Sequence, residues 1–148
     1  MKNAIIIHGM PSKESYYVAG ADAQSNSHWL PWIQQQLIVR DVLAQTPEMP
    51  KPYEPNYDAW LKVFNQFEVN DNTILIGHSC GGGFLAKWLT ENDVKVKKVI
   101  LVAPWIDPEG SVEMFSNFTV GNDLVSKTTD GVTIFNSCLL YTSPSPRD

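Results

Sequence analysis

The sequence predicts an α/β protein with three layers, α/β/α, built around a mostly parallel sheet. Short apolar runs typical of strands alternate with segments whose apolar residues recur at the three- and four-residue spacings of a helix. The strand segments are apolar on both faces, which is typical of a parallel sheet covered by helices on both sides. Because no repeat, low-complexity stretch or linker interrupts this pattern, we expect one domain spanning residues 1–137.

Five segments carry the strand pattern. Residues 4–7 are mostly β-branched and precede a His-Gly pair, and residues 73–76 lead into a glycine-rich turn at 77–83. Residues 99–103 stop at a proline, which cannot continue a central strand. The predicted strands are residues 4–7, 39–44, 73–76, 99–103 and 132–135.

Helical spacing predicts the connecting helices. Residues 28–37 place several apolar side chains on one face, with Ser27 as the candidate N-cap. A second helix begins near Tyr57, a third covers residues 84–89 and a short one covers residues 112–118. We expect residues 10–27 to be a loop, and the prolines between residues 47 and 55 to exclude regular structure. The tryptophans on helical faces are expected in the core, namely Trp29, Trp32, Trp60 and Trp88.

Composition and charge exclude several classes of protein. The 148 residues are 43% hydrophobic, which is too apolar for a disordered or fibrous chain. A net charge of -5 without a basic patch argues against a nucleic-acid partner. No apolar run is long enough for a membrane span or a signal-peptide core, so we expect a cytoplasmic location and no membrane contact. Two cysteines, Cys80 and Cys138, make neither a disulfide framework nor a metal set, and no cofactor or metal is expected.

The motif that carries chemistry is Gly77-His78-Ser79-Cys80-Gly81. It follows a predicted strand and opens a predicted helix, which is the strand-turn-helix setting of the G-x-S-x-G nucleophile elbow. A turn this tight forces strained backbone angles on the serine and leaves no room for a Cβ atom at either flanking glycine. We therefore expect Ser79 to be a nucleophile whose hydroxyl stands above the edge of the sheet.

The same turn predicts donors for an oxyanion hole. The amide of Cys80 lies at a helix N-terminus, where it can stabilise the oxyanion of a tetrahedral intermediate. A second donor is expected from the loop after the first strand, at Gly9 or Met10, because Pro11 has no N–H group. We favour Met10.

The three histidines and the Cys80 thiol are weaker candidates for catalysis. His8, next to Gly9 at a strand end, is expected to be a buried residue that orients the loop rather than the catalytic base. His28 is expected to cap or pack a loop, and the His78 side chain is expected to point away from the nucleophile. The Cys80 thiol should face the packing of its helix rather than the cleft.

A serine nucleophile also needs a base and an acid, and the sequence offers neither downstream. No histidine follows Ser79 in the chain. Asp107 and Asp123 are expected in surface loops, and Asp130 precedes the fifth predicted strand, at the wrong end for an acid. We expect that the triad cannot be completed within these 148 residues.

The last residues do not continue the pattern. Residues 138–148 have no helical or strand period and contain two Ser-Pro steps. They resemble the in-frame translation of a transposase mosaic-end sequencing adapter. We therefore expect a non-native, disordered tail and a natural reading frame that breaks off near Ser137.

Residues 3–137 resemble the small single-domain serine hydrolases of the retinoblastoma-binding protein 9 type. The resemblance rests on His8-Gly9, on His28-Trp29-Leu30-Pro31-Trp32, on Met49-Pro50-Lys51-Pro52 with Trp60, on the motif around Ser79 and on Leu101-Val102-Ala103-Pro104. It implies an α/β-hydrolase fold, incomplete here, and a Ser-Asp-His triad. The acid would come just beyond the strand ending near Phe135 and the histidine after one more strand. Only Ser79 of the triad therefore matches this chain.

The expected function is hydrolysis of an ester, an amide or a related acyl bond of a small molecule, through an acyl-Ser79 intermediate. The 148-residue chain itself is expected to be inactive and marginally stable. One alternative is a non-catalytic interaction module on a hydrolase scaffold. Another is a nucleotide-binding module, because Gly81-Gly82-Gly83 with Ala86 imitates a dinucleotide loop, but the acidic residue such a loop requires is replaced by Ala103. Oligomeric state is not predicted.

Overall fold

The computed structural model describes residues 1–136, which form a five-stranded parallel sheet between two layers of helices. The strand order is β2-β1-β3-β4-β5. The strands are Asn3–Ile7 (β1), Leu43–Gln45 (β2), Thr73–His78 (β3), Lys98–Val102 (β4) and Val132–Phe135 (β5). The predicted fold class, a three-layer α/β/α arrangement, is confirmed. The predicted tail at residues 138–148 lies outside the described residues.

Within the described residues, four helices and three short 3₁₀ turns connect the strands. The helices are Lys13–Tyr16 (α1), Leu30–Ile38 (α2), Tyr57–Phe64 (α3) and Cys80–Glu91 (α4). The 3₁₀ turns are Gln24–Asn26, Glu113–Phe115 and Val125–Lys127. Within residues 1–136, none of the helices has the length and apolar character needed to cross a bilayer.

The two faces of the sheet bury separate cores, because successive side chains of a strand point to opposite sides. On β1, Ile5 and Ile7 pack toward α3 and α4, whereas Ala4 and Ile6 pack toward α2. All four are at most 1% exposed. This double burial explains why residues 4–7 of the strand are all apolar, and the polar Asn3 lies at its less buried start.

Helix α2 begins two residues later than predicted, and Ser27 does not cap it. Its N-cap is Trp29, while the Ser27 hydroxyl donates to the carbonyl of Gln24 at 2.8 Å. His28 has a φ of 55°, which is incompatible with a helix, and Pro31 occupies the first turn, where its missing N–H costs nothing. The backbone at His28 therefore delays the start of the helix.

Strand β2 is shorter than the predicted segment 39–44. The end of α2 continues into a tight turn, in which the amide of Val42 donates to the carbonyl of Leu37 at 3.0 Å and Asp41 has a φ of 61°. A chain folded back in this way cannot pair with β1 until Leu43. The apolar residues at 38 and 39 belong to the helix end and are exposed.

Three other boundaries differ from prediction. Helix α4 starts at Cys80 rather than at residue 84, so residues 80–83 of the predicted glycine-rich turn form the first turn of this helix. Only Glu113–Phe115 of the predicted helix at 112–118 is helical. The predicted loop at 10–27 contains α1, whose N-cap Ser12 accepts a hydrogen bond from the amide of Ser15.

Two burial predictions are wrong. Trp32 is 63% exposed, because the α2 face that packs on the sheet carries Leu30 and Ile33 and leaves Trp32 outside. Asp107 is 6% exposed rather than on the surface, because its carboxylate is used to bind a turn. Trp60 and Trp88 are buried and Trp29 is half-buried against the α2 core, as predicted.

The sheet has its topological switch point between β1 and β3. The chain moves from β1 to β2 on one side and then returns to place β3, β4 and β5 on the other. In parallel α/β sheets, ligands bind at such a point beyond the carboxyl ends of the strands. The loop at Gly9 and the turn at Ser79 both leave the sheet there.

Candidate active site

Ser79 lies between the last residue of β3 and the first residue of α4, with a strained backbone. Its φ and ψ are 52° and -119°, a conformation that costs a side-chain-bearing residue about 1–3 kcal/mol. Three hydrogen bonds hold this geometry. The Ser79 amide donates to the carbonyl of Val102 at 2.9 Å, and its carbonyl accepts from the amides of Gly83 and Trp105 at 3.1 and 3.0 Å. The residue is half-buried, so its side chain keeps some access to solvent.

The glycines of the motif permit two close backbone approaches. A Cβ atom at Gly77 would lie 2.6 Å from the Cα of Gly82, inside the turn itself. A Cβ atom at Gly81 would overlap the carbonyl oxygens of Ile7 and His8. The first turn of α4 is therefore pressed against the end of β1, which brings the loop after β1 to the serine.

Gly9 is the point where that loop meets Ser79. A Cβ atom on Gly9 would lie 3.2 Å from the Cβ of Ser79 and 3.3 Å from the carbonyl oxygen of His78. The amide of Cys80 follows Ser79 in the first turn of α4, where helix amides have no intrahelical acceptor. The backbone of Gly9 and the first turn of α4 therefore both lie next to Ser79.

His8 is fully buried and its ring is bonded through both nitrogens. Nδ1 lies 2.9 Å from the carbonyl oxygen of Gly9, and Nε2 accepts from the amide of Met49 at 2.8 Å. Burial lowers the pKa of His8, opposed by the bond to Gly9 and by the Glu48 carboxylate, whose Oε1 is 3.9 Å from Nε2. The predicted burial of His8 is confirmed, and its ring is bonded to the loop after β1 and to the segment after β2.

The other two histidines form a ring cluster with Trp29 beside the site. The His78 ring lies edge-on to His28 at 5.6 Å and to Trp29 at 5.4 Å between centroids. His28 is exposed and Trp29 is half-buried. The cluster is close to Gly9, because a Cβ atom there would lie 3.7 Å from Nδ1 of His78. The prediction that His28 packs a loop agrees with this arrangement.

The Cys80 thiol belongs to the core, as predicted. Cys80 has no exposed surface and packs among the apolar side chains between the sheet and α4. Burial, with a smaller contribution from the Asp107 carboxylate, raises the pKa of the thiol to about 12. A thiol with this pKa is a poor nucleophile, so chemistry at this turn falls to the serine.

The three aspartates that the sequence analysis weighed as the catalytic acid are engaged in other contacts. Asp107 has a φ of 53°, and its carboxylate accepts from the Ser111 hydroxyl at 3.0 Å and from the amide of Val112. Asp123 is exposed and pairs with Lys127 at 3.6 Å, as expected for a surface residue. Asp130 pairs with Lys97 at 3.1 Å, at the amino end of β5.

The glycine run 81–83 is explained by packing within the protein. Gly81 faces the end of β1, a Cβ atom at Gly82 would lie 3.0 Å from Pro104 Cβ, and one at Gly83 would overlap the carbonyl oxygen of Trp105. Close packing against neighbouring protein atoms therefore accounts for all three glycines. The nucleotide-binding alternative therefore loses the observation that suggested it.

A cavity of about 340 Å³ lies elsewhere, and its wall includes Met1, Asn3, Leu43 and Asn70. These residues lie at or before the amino ends of β1, β2 and β3, opposite the end that carries Ser79. Two of its polar side chains are bonded to each other, since the amide nitrogen of Asn70 donates to the Glu68 carboxylate at 2.8 Å. This cavity is not part of the candidate site.

Three contacts that organise the site were not predicted: those of Met49, Glu48 and Trp105. Met49 and Glu48 reach His8 from the segment after β2, and Trp105 reaches Ser79 from the segment after β4. The proline-rich stretch at 49–52 was visible in the sequence, but no pattern of neighbouring residues predicted its contact with His8. The turn at Asp107 could have been predicted, because the Asp-Pro-Glu-Gly sequence at residues 107–110 is typical of a turn.

Comparisons with known proteins indicate the family of this chain. Residues 15–129 match the family model described as "Serine hydrolase". "Putative hydrolase YdeN" of Bacillus subtilis (strain 168) is 28% identical over 115 residues, which are 75% of this chain and 60% of that protein. The chain thus spans about three fifths of the length of this relative.

One solved structure shows the same fold. The crystal structure of the ydeN gene product from B. subtilis superposes with a TM-score of 0.72 and 22% identity, over 90% of this chain and 70% of that chain. A weaker likeness relates the chain to an extracellular alpha/beta-hydrolase from a Paenibacillus species, with a TM-score of 0.47 and 17% identity, over 70% of this chain and 41% of the other. The family match covers more than half of the chain and includes the turn at Ser79. The chain belongs to the serine hydrolase family.

Proposed function

We propose that this chain carries the nucleophile and the oxyanion hole of a hydrolase that cleaves an acyl bond, an ester or an amide, in a small molecule. The observation that supports it most directly is the strained, triply hydrogen-bonded backbone of Ser79 at the N-terminus of α4. Strain of this kind is retained where it positions a reacting group. Within the family, the likeness to the retinoblastoma-binding protein 9 type is our proposed subgroup.

The proposed reaction uses two steps. The Ser79 Oγ attacks the acyl carbon, its proton passes to a general base, and the tetrahedral oxyanion is stabilised by the amides of Cys80 and of the Gly9–Met10 loop. The leaving group departs with a proton, which leaves an acyl ester on Ser79. Water then attacks this ester and releases the acid product. No step requires a metal or an organic cofactor.

We propose further that the 148-residue chain alone does not turn over substrate. His8 is committed through both ring nitrogens, and no histidine follows Ser79 in the sequence. Without a base, the hydroxyl stays weakly nucleophilic, and only the oxyanion donors assist the reaction. The relative YdeN extends well beyond the length that this chain spans.

The test compares the 148-residue chain with a version continued past residue 137 by the genomic reading frame. Turnover of a p-nitrophenyl ester and labelling by a fluorophosphonate are measured for each, with Ser79→Ala as the active-site variant and exposed Ser116→Ala as the matched control. We expect both signals only in the longer version, lost with Ser79→Ala and kept with Ser116→Ala.

Two results would contradict the proposal. Ester turnover by the 148-residue chain that disappears with Ser79→Ala would refute its inactivity. A folded longer version that neither turns over ester nor labels at Ser79 would refute the hydrolase assignment and favour the non-catalytic interaction module.

A further inference from the structure

The two hydrogen bonds of His8 determine where its proton lies. A backbone amide can only donate, so Nε2, which faces the amide of Met49 at 2.8 Å, must be the unprotonated acceptor. The ring proton of a neutral imidazole then lies on Nδ1, which is 2.9 Å from the carbonyl oxygen of Gly9. His8 is therefore the neutral Nδ1–H tautomer and donates to Gly9.

This bond orients the peptide that joins Gly9 to Met10. The described chain has no cis peptide bonds, and in a trans peptide the C=O and N–H groups point in opposite directions. Because the Gly9 carbonyl points to the buried His8 ring, the Met10 N–H points away from it, out of the core. The same peptide begins at Gly9, which lies against Ser79.

The preceding peptide has the opposite orientation. The carbonyl oxygen of His8 lies against Gly81 in the first turn of α4, so the N–H of Gly9 points away from that turn. A donor to an oxyanion on Ser79 has to face the first turn of α4, where the Cys80 amide lies. Geometry thus disfavours Gly9 and favours Met10 as the second donor.

The ring that sets this orientation is itself held in place. Trp60 packs edge-on against His8 at 5.7 Å between centroids, and its indole N–H donates to the carbonyl of Pro50 at 3.0 Å. Pro50 follows Met49, so one segment both accepts from Trp60 and donates to His8. Met49 and Trp60 are at most 1% exposed. The Glu48 carboxylate, which accepts from the amides of Gln24 and Ser25, is the charged group facing Nε2.

We propose that His8 is a positioning residue for the oxyanion hole: its Nδ1–H bond to Gly9, braced by Met49 and Trp60, aims the Met10 amide at the acyl oxygen of a substrate on Ser79. The importance of the Met10 amide rests on the proposed function. The tautomer and the orientation of the peptide do not, because they exist without catalysis.

The first test uses the 148-residue chain and nuclear magnetic resonance. Long-range ¹H–¹⁵N spectra of the imidazoles are expected to show His8 neutral and protonated at Nδ1. Two variants then separate its bonds. In His8→Asn the amide nitrogen lies near the position of Nδ1 and keeps the donor to Gly9, whereas in His8→Gln the amide oxygen lies near Nε2 and keeps the acceptor for Met49.

Both variants bury one amide and lose one hydrogen bond, so a merely structural role for His8 would affect them alike. We expect Met10 to become mobile in His8→Gln, its backbone order parameter falling from about 0.85 to below about 0.6, and to stay ordered in His8→Asn. In the longer version, His8→Gln is expected to lower kcat by about a hundredfold with little change in KM, and His8→Asn to lose at least tenfold less.

A His8 proton on Nε2, a Met10 amide that responds equally to both variants, or equal losses of kcat would each overturn the proposal. If a variant fails to fold, the tautomer of His8 in the unmodified chain still confirms or overturns the proposal. A longer version with no Ser79-dependent reaction would count against the proposed function, and the spectra of the 148-residue chain would still confirm or overturn the role of His8.

Discussion

The amide of Trp105 donates a hydrogen bond to the carbonyl oxygen of Ser79 over 3.0 Å. This bond joins the segment after β4 to the strained turn between β3 and α4. The same carbonyl also accepts from Gly83, and the Ser79 amide donates to Val102 in β4. The unusual backbone angles of Ser79 are thus held by two neighbouring elements rather than by the turn alone, which is how a strained residue persists in a stable fold.

Relief of this strain should be measurable. Ser79→Gly is expected to raise the free energy of unfolding by about 1 kcal/mol relative to Ser79→Ala, because glycine adopts a φ of 52° without a Cβ penalty. Urea unfolding of the two variants measures the difference. Equal stabilities would mean that the backbone at residue 79 is not strained.

Gly81→Ala should destabilise the protein by about 3 kcal/mol, because the new methyl group would overlap the carbonyl oxygens of Ile7 and His8. Gly20→Ala is the matched control. Gly20 has a φ of 80° and open space around it, so alanine there adds backbone strain of about 1 kcal/mol and no overlap. A loss at Gly81 no larger than that at Gly20 would contradict the close approach of α4 to β1.

Lys127 stabilises the C-terminal end of α4 from outside the helix. Its ammonium group donates to the carbonyl oxygens of Leu89 and Asn92 and pairs with Asp123, and its side chain is 12% exposed. Lys127→Met is expected to cost about 1.5 kcal/mol in thermal or urea unfolding. Lys95→Met, which removes one exposed bond to Ser126, should change stability by less than about 0.5 kcal/mol.

The buried His8 should make stability depend on pH. Burial lowers its pKa in the folded chain, so below the ordinary value of about 6.5 the unfolded chain binds a proton that the folded chain does not. Its contribution is therefore complete above about pH 6.5 and declines as the pH falls toward the lowered folded-state value, by up to about 1.4 kcal/mol per pH unit.

Unfolding measured at a series of pH values for the native chain and His8→Asn isolates this contribution. Carboxylates such as Glu48 titrate in both proteins, so the difference between the two curves belongs to His8. Parallel curves between about pH 7.5 and 5.5 would show that His8 is not buried in its neutral form.

The thiol of Cys80 should be inert in the folded protein. Burial raises its pKa to about 12, which reduces the thiolate fraction at about pH 8 by on the order of a thousandfold. In a Cys138→Ser background, reaction with a disulfide reagent is expected to be slower by a similar factor in native buffer than in concentrated guanidinium. Comparable rates would place Cys80 outside the core.

Local signals predicted much of the fold. The strands at 73–76 and 132–135 and the helix near Tyr57 were visible as runs or spacings of apolar residues, and all are present. The boundaries that differ depend on backbone geometry that apolar spacing does not encode. Examples are the φ of 55° at His28, which delays α2, and the folded-back turn before Leu43, which shortens β2.

Burial was predicted less well, because it depends on which neighbour covers a face. Trp32 has the spacing of a core residue. The sheet, however, covers the face of α2 that carries Leu30 and Ile33, and Trp32 lies outside this face and is 63% exposed. Asp107 was expected on the surface because carboxylates usually are. Its side chain is buried because the turn at Ser111 and Val112 satisfies both oxygens.

The sequence by itself determined the alternation of strands and helices and the position of the turn around Ser79, because those signals lie within a few residues of one another along the chain. Only the tertiary structure decided which groups meet at that turn. Met49 is 41 residues from His8 along the chain, and the Trp105 amide reaches Ser79 from beyond another strand. Contacts of this kind depend on how strand ends are brought together in a folded sheet, and no local pattern of residue types specifies them.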